Sequence, residues 1–159
     1  MMRFRDSLVR DERGASIVEM GLLLPVMATV VIGVADVSRA YSQKLLLEQA
    51  AYRAIEKVQQ YQSTESTYDT LKNEVVAAST AAGFTDVTTG NVTLDYWLEC
   101  DGVRQTTYDT TCSSGQTYAR WISVDVTHSF TPMFASSKWP GSNANGSYTL
   151  HGRASLRTQ

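Results

Sequence analysis

Asp125, His128 and Ser129 are of the residue types that hydrolases use for nucleophilic catalysis, and they lie within five residues of one another. They fall in a segment whose apolar residues recur at every second position, which predicts a strand. Asp125 and His128 are three residues apart, so they point to opposite faces of such a strand. The sequence also has no G-x-S-x-G nucleophile elbow. We therefore expect no enzymatic activity and no catalytic residues.

Two cysteines and two histidines are the strongest metal-binding side chains available. Their spacing does not match the C-x₂₋₄-C and H-x₃₋₅-H pattern of a zinc site, so we predict neither a metal nor a cofactor. Cys100 and Cys112 flank a polar loop, and in an oxidising compartment such a pair is expected to form a disulfide. Closing a loop of this length is worth about 3 kcal/mol in the chain-entropy description.

The overall charge excludes one class of partner. The chain has 159 residues, with 14 Lys and Arg against 16 Asp and Glu, and a net charge of -2. It lacks the basic excess with which nucleic-acid-binding proteins displace counterions from phosphates. We expect no nucleic-acid partner.

An apolar run divides the chain. Residues 15–35 (ASIVEMGLLLPVMATVVIGVA) contain Glu19 as their one charged side chain. As a helix this run is about 31 Å long, which matches the hydrocarbon thickness of a bilayer. The arginines of residues 1–14 favour a cytoplasmic N-terminus. A cleaved secretory signal is the alternative, but its apolar core is usually shorter and does not continue into further helical pattern.

Helical periodicity continues beyond the run to about Gln60 and returns over Tyr68 to Ala82, with Gly83 as a C-cap and a turn at 62–67 between them. Alternation with a period of two then predicts three strands, at 92–99, 121–130 and 148–157, with Tyr96 and Gly152 on the apolar sides of the first and the third. The polar connections favour an antiparallel sheet with one face on the helices. The predicted fold class is α+β: a long N-terminal transmembrane and amphipathic helix, a second short helix, and a small antiparallel sheet of about three strands.

The segment RGASIVEMGLLLPVMATVVIGVADVSRAYS resembles the TadE/TadF class of pseudopilins from tight-adherence type IV pilus systems. The resemblance rests on a glycine after a basic leader, a small residue next, a glutamate five positions after the glycine, and a proline midway through the span. It implies cleavage by a prepilin peptidase between Gly14 and Ala15, which makes Glu19 the fifth residue of the mature chain. Met20 departs from the aromatic residue that many members carry after the glutamate.

Physical arguments about two residues stand beside the resemblance. An ionised carboxylate in an apolar span is costly and persists where a partner or function offsets the cost, so Glu19 is the candidate assembly residue. Snorkelling of Glu19 to the interface is the alternative. Pro25 cannot donate a backbone hydrogen bond to Gly21, so we expect a helix kink there, although prolines are also tolerated in membrane helices.

These observations predict four segments: a cytoplasmic leader peptide at 1–14, a transmembrane helix at 15–35, a helix extension at 36–61, and an extracytoplasmic α+β head at 62–159. The protein is expected in the bacterial inner membrane with its head in the periplasm, and to be incorporated in a pilus. By resemblance its partners are other pilin subunits, the prepilin peptidase and the inner-membrane assembly platform. The alternative function is a permanent single-pass anchor with a periplasmic scaffold or binding head. Loop 131–146 is the predicted contact site of the head.

Overall fold

A computed structural model describes residues 13–60 and 66–158. Most of the expected leader peptide and most of the turn expected at 62–67 lie outside the described residues. The chain divides into two units between Arg39 and Ala40. The fold is α+β, as the sequence predicts.

Helix α1 spans Arg13–Gln60 and passes through the boundary between the two units. No glycine or proline follows Gly33 within it, so the second half contains few helix-weakening residues. The helical assignment continues through Pro25, whose carbonyl accepts a hydrogen bond from the hydroxyl of Thr29 at 2.8 Å. The expected extension of the apolar helix to about Gln60 is confirmed.

Helix α2 spans Ser66–Ala81 and ends at a glycine cap. Gly83 has a φ of 100°, and the N–H groups of Gly83 and Phe84 donate to the carbonyls of Thr80 and Ser79, both at 3.0 Å. This pair of hydrogen bonds is a Schellman motif, which requires the left-handed conformation that glycine adopts without strain. The predicted C-cap at Gly83 is confirmed.

The sheet contains four antiparallel strands in the order β2-β1-β3-β4. Their bounds are Val92–Cys100 (β1), Val103–Arg104 (β2), Tyr118–Phe130 (β3) and Tyr148–Arg157 (β4). The three predicted strands are confirmed, and β2 is an addition. Asp101 and Gly102, both with positive φ, connect β1 to β2 by the two-residue turn that an Asp-Gly pair favours.

One apolar core joins α1, α2 and the sheet within the unit that begins at Ala40. Its buried members are, from the helices and the following segment, Leu47, Ala51, Ala54, Ile55, Leu71, Val75, Phe84 and Val87, and from the strands Val92, Ile122, Val124, Val126 and Ala154. Lys57 of α1 and Glu74 of α2 form an ion pair beside this core. The helices therefore cover one face of the sheet, in agreement with the period-two pattern.

The position of Tyr96 corrects one detail of that pattern. The alternation in β1 assigns Tyr96 to the covered face, but its side chain is 44% exposed. Its ring packs edge-on against that of Tyr108, with centroids 5.2 Å apart. Tyr108 belongs to the loop between Cys100 and Cys112, so this part of β1 is covered by that loop instead of by a helix.

Candidate assembly site

Glu19 lies in the first third of α1, among side chains that are all exposed. From Ser16 to Val31 every residue is solvent-accessible in the isolated chain, and the neighbours Val18 and Met20 are 63% and 66% exposed. Apolar surface of this extent on a helix requires a lipid or protein environment. Among the described residues, α1 is the one helix with the length and apolar composition needed to cross a membrane.

Among residues 16–57 and 70–158, whose side chains the structure describes, no cationic side chain forms a salt bridge with Glu19. The first charged residue to follow it is Asp36, which pairs with Arg39 at 3.4 Å. The carboxylate of Glu19 thus lies on an apolar helix surface without a salt-bridge partner among those described side chains. A charge in such surroundings binds an opposite charge far more strongly than it does in water.

Gly14 and Ala15 lie in the first turn of α1. The N–H groups of a first turn have no intrahelical acceptor, and glycine weakens a helix by about 1 kcal/mol relative to alanine. The peptide bond between these two residues is therefore at the part of α1 where local opening costs least. Pro25 sits further along the same apolar surface, where the expected kink stays a prediction.

The head carries the other predicted feature. Cys100, at the end of β1, and Cys112 lie at disulfide distance, with their α-carbons 5.6 Å apart, and the structure pairs them. This supports the expected disulfide. The pairing fastens the loop that carries Tyr108 to the edge of the sheet, beside the turn at Asp101 and Gly102.

Asp101, in the turn after β1, is hydrogen-bonded to Thr117. The carboxylate of Asp101 accepts hydrogen bonds from the backbone N–H and the hydroxyl of Thr117, both at 2.9 Å. In return, the N–H of Asp101 donates to the carbonyl of Thr117 at 2.8 Å. Because the ionised carboxylate accepts these bonds, they lower the pKa of Asp101 from its ordinary value.

The uncovered face of the sheet holds a polar and aromatic cluster that the sequence did not reveal. The rings of Trp97 and Trp121 are stacked, with centroids 6.1 Å apart, and their indole N–H groups donate to the two carboxylate oxygens of Glu99 at 2.8 and 3.0 Å. The guanidinium of Arg104 lies 4.6 Å from the centroid of the Trp97 ring and binds Asp95 at 2.7 Å. The two tryptophans meet because the register of β1 on β3 places Trp97 opposite Trp121. Alternation alone does not fix that register.

Beside this cluster is a shallow cavity of about 400 Å³, lined in part by Tyr52, Trp97, Asp125 and Arg153. The carboxylate of Asp125 already has partners within the fold: it lies 2.9 Å from His151 Nδ1 and 2.8 Å from Arg153 Nε.

His128 lies on the opposite face from Asp125, as expected. Its ring packs at 4.8 Å from that of Phe84, and its Nδ1 lies 3.0 Å from a carboxylate oxygen of Asp86 without hydrogen-bond alignment. The structure does not bring Asp125, His128 and Ser129 together: the hydroxyl of Ser129 donates to the hydroxyl of Ser147, at 3.0 Å.

Residues 14–55 match the model of a family described as TadE-like protein. The match begins at Gly14 and ends within α1, and it confirms that this segment is TadE-like. The matched residues cover about a quarter of the chain and contain the whole apolar run and Glu19. No curated protein and no solved structure matches the chain.

Proposed function

We propose that this protein is a non-enzymatic minor pilin or pseudopilin that takes part in the assembly or tip structure of a tight-adherence pilus. The observation that supports this most strongly is the coincidence of the TadE-like segment 14–55 with an exposed apolar helix that carries Glu19. A helix of this kind has two environments open to it, a bilayer and the interior of a helical filament. Transfer between them is the function that the apolar surface serves.

In this proposal a prepilin peptidase cleaves between Gly14 and Ala15 on the cytoplasmic side of the inner membrane. Cleavage removes the arginines of the leader and creates a positive amine on Ala15. Residues four apart lie on the same side of a helix, so this amine is one turn from Glu19 of its own chain. That proximity reduces the cost of holding the carboxylate in the membrane before assembly.

In the assembled filament the Glu19 carboxylate pairs with the amine of a neighbouring subunit. This assignment is supported by the absence of a salt bridge between Glu19 and any cationic side chain of residues 16–57 and 70–158. A pair between subunits fixes their axial register, since the attraction is strong at low dielectric and falls with separation. The head, with its own core, stays in the periplasm until incorporation.

The mature N-terminus tests this proposal against the permanent anchor. We expect intact-mass measurement to show loss of residues 1–14 when an active prepilin peptidase is co-expressed, and Gly14→Val to block that loss. Gly21→Val is the matched control: the site has no atom within 4 Å of an added Cβ, and the variant should be cleaved normally. An unchanged mass for the wild type beside an active peptidase would refute the pilin assignment and favour the anchor.

A further inference from the structure

The loop between β3 and β4, residues 131–147, presents large apolar side chains to solvent. Met133, Phe134 and Trp139 are 64%, 56% and 56% exposed, and Lys138 beside them is also exposed. Three large exposed apolar side chains within one short loop, unlike single ones scattered over a surface, indicate a contact surface.

This exposure is built into the loop by its hydrogen bonds. The hydroxyl of Ser142 lies 3.0 and 2.8 Å from the carbonyl oxygens of Ser136 and Trp139, which share its one hydrogen, and the N–H of Trp139 donates to the carbonyl of Ser136 at 3.2 Å. Gly146 closes the loop: its φ is 78°, and a Cβ there would lie 2.6 Å from the backbone nitrogen of Ser136. These hydrogen bonds fix the backbone from Ser136 to Ser142, the segment in which the exposed Trp139 lies.

The register of β4 on α1 gives the position of the loop within the head. Leu47 lies against Gly152, whereas Tyr52, five residues later in α1, shares a cavity with Ala154 and Ser155. β4 and this part of α1 therefore advance in the same direction. Measured along the strand, the start of β4 is about 13 Å before Gly152. Measured along the helix, Ala40 is about 10 Å before Leu47, the residue that contacts Gly152. The loop consequently lies at the Ala40 end of the helix extension.

We propose that this loop docks on the surface of the bilayer, with Phe134 and Trp139 in the interfacial region and Lys138 at the phosphates of anionic lipids. The inference rests on the proposed membrane span, because Ala40 follows that span by only five residues of the chain. Tryptophan prefers the interfacial layer, and lysine extends its ammonium to the headgroups. Lys138 is also the one charged residue of the loop, so its charge complements an anionic surface.

The test places the full-length protein in vesicles made of equal amounts of phosphatidylglycerol and phosphatidylcholine, the latter with brominated acyl chains that quench nearby tryptophans. We expect a loss of tryptophan fluorescence, relative to vesicles without bromine, that disappears in Trp139→Phe. Lys138→Glu should reduce the loss when phosphatidylglycerol is present and have less effect when it is omitted. The matched control adds Tyr118→Trp to Trp139→Phe, because Tyr118 is 54% exposed at the opposite end of β3, and this tryptophan should not be quenched.

Flotation of the same vesicles separates the two proposals. Protein that floats with the lipid but shows no quenching dependent on Trp139 would overturn the docking inference and leave the membrane span intact. Protein that fails to float would overturn both. Shielding of Trp139 from aqueous iodide only at high protein-to-lipid ratio, without quenching by brominated lipid, would assign the loop to contact with a second protein copy and so overturn the lipid assignment.

Discussion

Gly152 of β4 packs directly against the backbone of Leu47 in α1. A Cβ added to Gly152 would lie 2.5 Å from the carbonyl carbon of Leu47 and 2.6 Å from its Cβ. Leu47 itself is completely buried. The absence of a side chain at Gly152 therefore sets how closely the helix approaches the sheet.

We predict that Gly152→Ala lowers the free energy of unfolding by about 1 to 3 kcal/mol, since an extra methyl in a close-packed core forces neighbours to move. The atoms it meets include backbone, which cannot rotate away as a side chain can. Gly90→Ala is the matched control, because an added Cβ there meets only Thr88 Oγ1, at 3.6 Å. Chemical denaturation monitored by circular dichroism measures both. Equal stability of the two variants would show that the contact is easily relaxed.

This contact also marks the limit of what the sequence predicts. Period-two alternation correctly assigned Gly152 to the covered face of β4, because that periodicity is a local property of the strand. Which helix residue meets Gly152 depends on non-local packing, which no local pattern contains. The long helix was predictable almost to its end for the same reason: apolar composition and helix propensity are local.

Two other differences have identifiable causes. The hairpin of β1 and β2 was missed although Asp101 and Gly102 carry its usual turn signal, because β2 has only two residues and no alternation to detect. The Glu99 cluster was missed because its tryptophans meet only through the register of β1 on β3. Gly14, Ala15 and Glu19 come from the sequence through its resemblance to TadE/TadF pseudopilins, and their roles stay predictions.

The cluster on the uncovered face leads to a second prediction. Glu99→Gln replaces a carboxylate that accepts from both indole N–H groups by an amide with one acceptor oxygen. One of Trp97 and Trp121 then faces an NH₂ donor, and leaving a half-buried donor unpaired costs about 1 to 3 kcal/mol. Thermal unfolding followed by tryptophan fluorescence measures the loss. Glu56→Gln, at an exposed position of α1, is the control and should leave the midpoint unchanged.

The disulfide supplies a third prediction. Removing the Cys100 and Cys112 link by a double Ser substitution should lower the stability of the head by about 3 kcal/mol, through the greater freedom of the unfolded chain. Reductant should lower the thermal midpoint of the wild type and leave that of the double variant unchanged. Flotation with membranes should be the same for both proteins. Two alkylatable thiols in protein from the native envelope would contradict the pairing.

Asp101 gives a fourth prediction, on pH dependence. Because its pKa is lowered in the folded protein, its ionised form stabilises the fold at pH values above its ordinary pKa. That contribution is lost as the pH falls through the lowered pKa. Thr117→Val removes the hydroxyl donor but keeps the N–H, so the pKa of Asp101 should rise part of the way to its ordinary value. Carboxyl NMR titration measures this pKa directly, and an identical titration in the two proteins would show that the hydroxyl has no influence.

The fifth prediction concerns the Glu19 carboxylate, which under the proposed function attracts the amine of a neighbouring mature subunit. Glu19→Gln keeps the size and hydrogen-bonding capacity of the side chain but removes its charge. We expect cleavage and membrane retention to persist, while crosslinking to other pilus components and the amount of surface pili decline, since the lost attraction acts at low dielectric. If Glu19 merely snorkels to the interface, removing an intramembrane charge should leave assembly unchanged or stabilise the span. Glu56→Gln, on the same helix beyond the apolar run, controls for loss of any carboxylate. All four readouts should be made in one strain, and normal piliation with Glu19→Gln would reduce this residue to a tolerated interfacial charge.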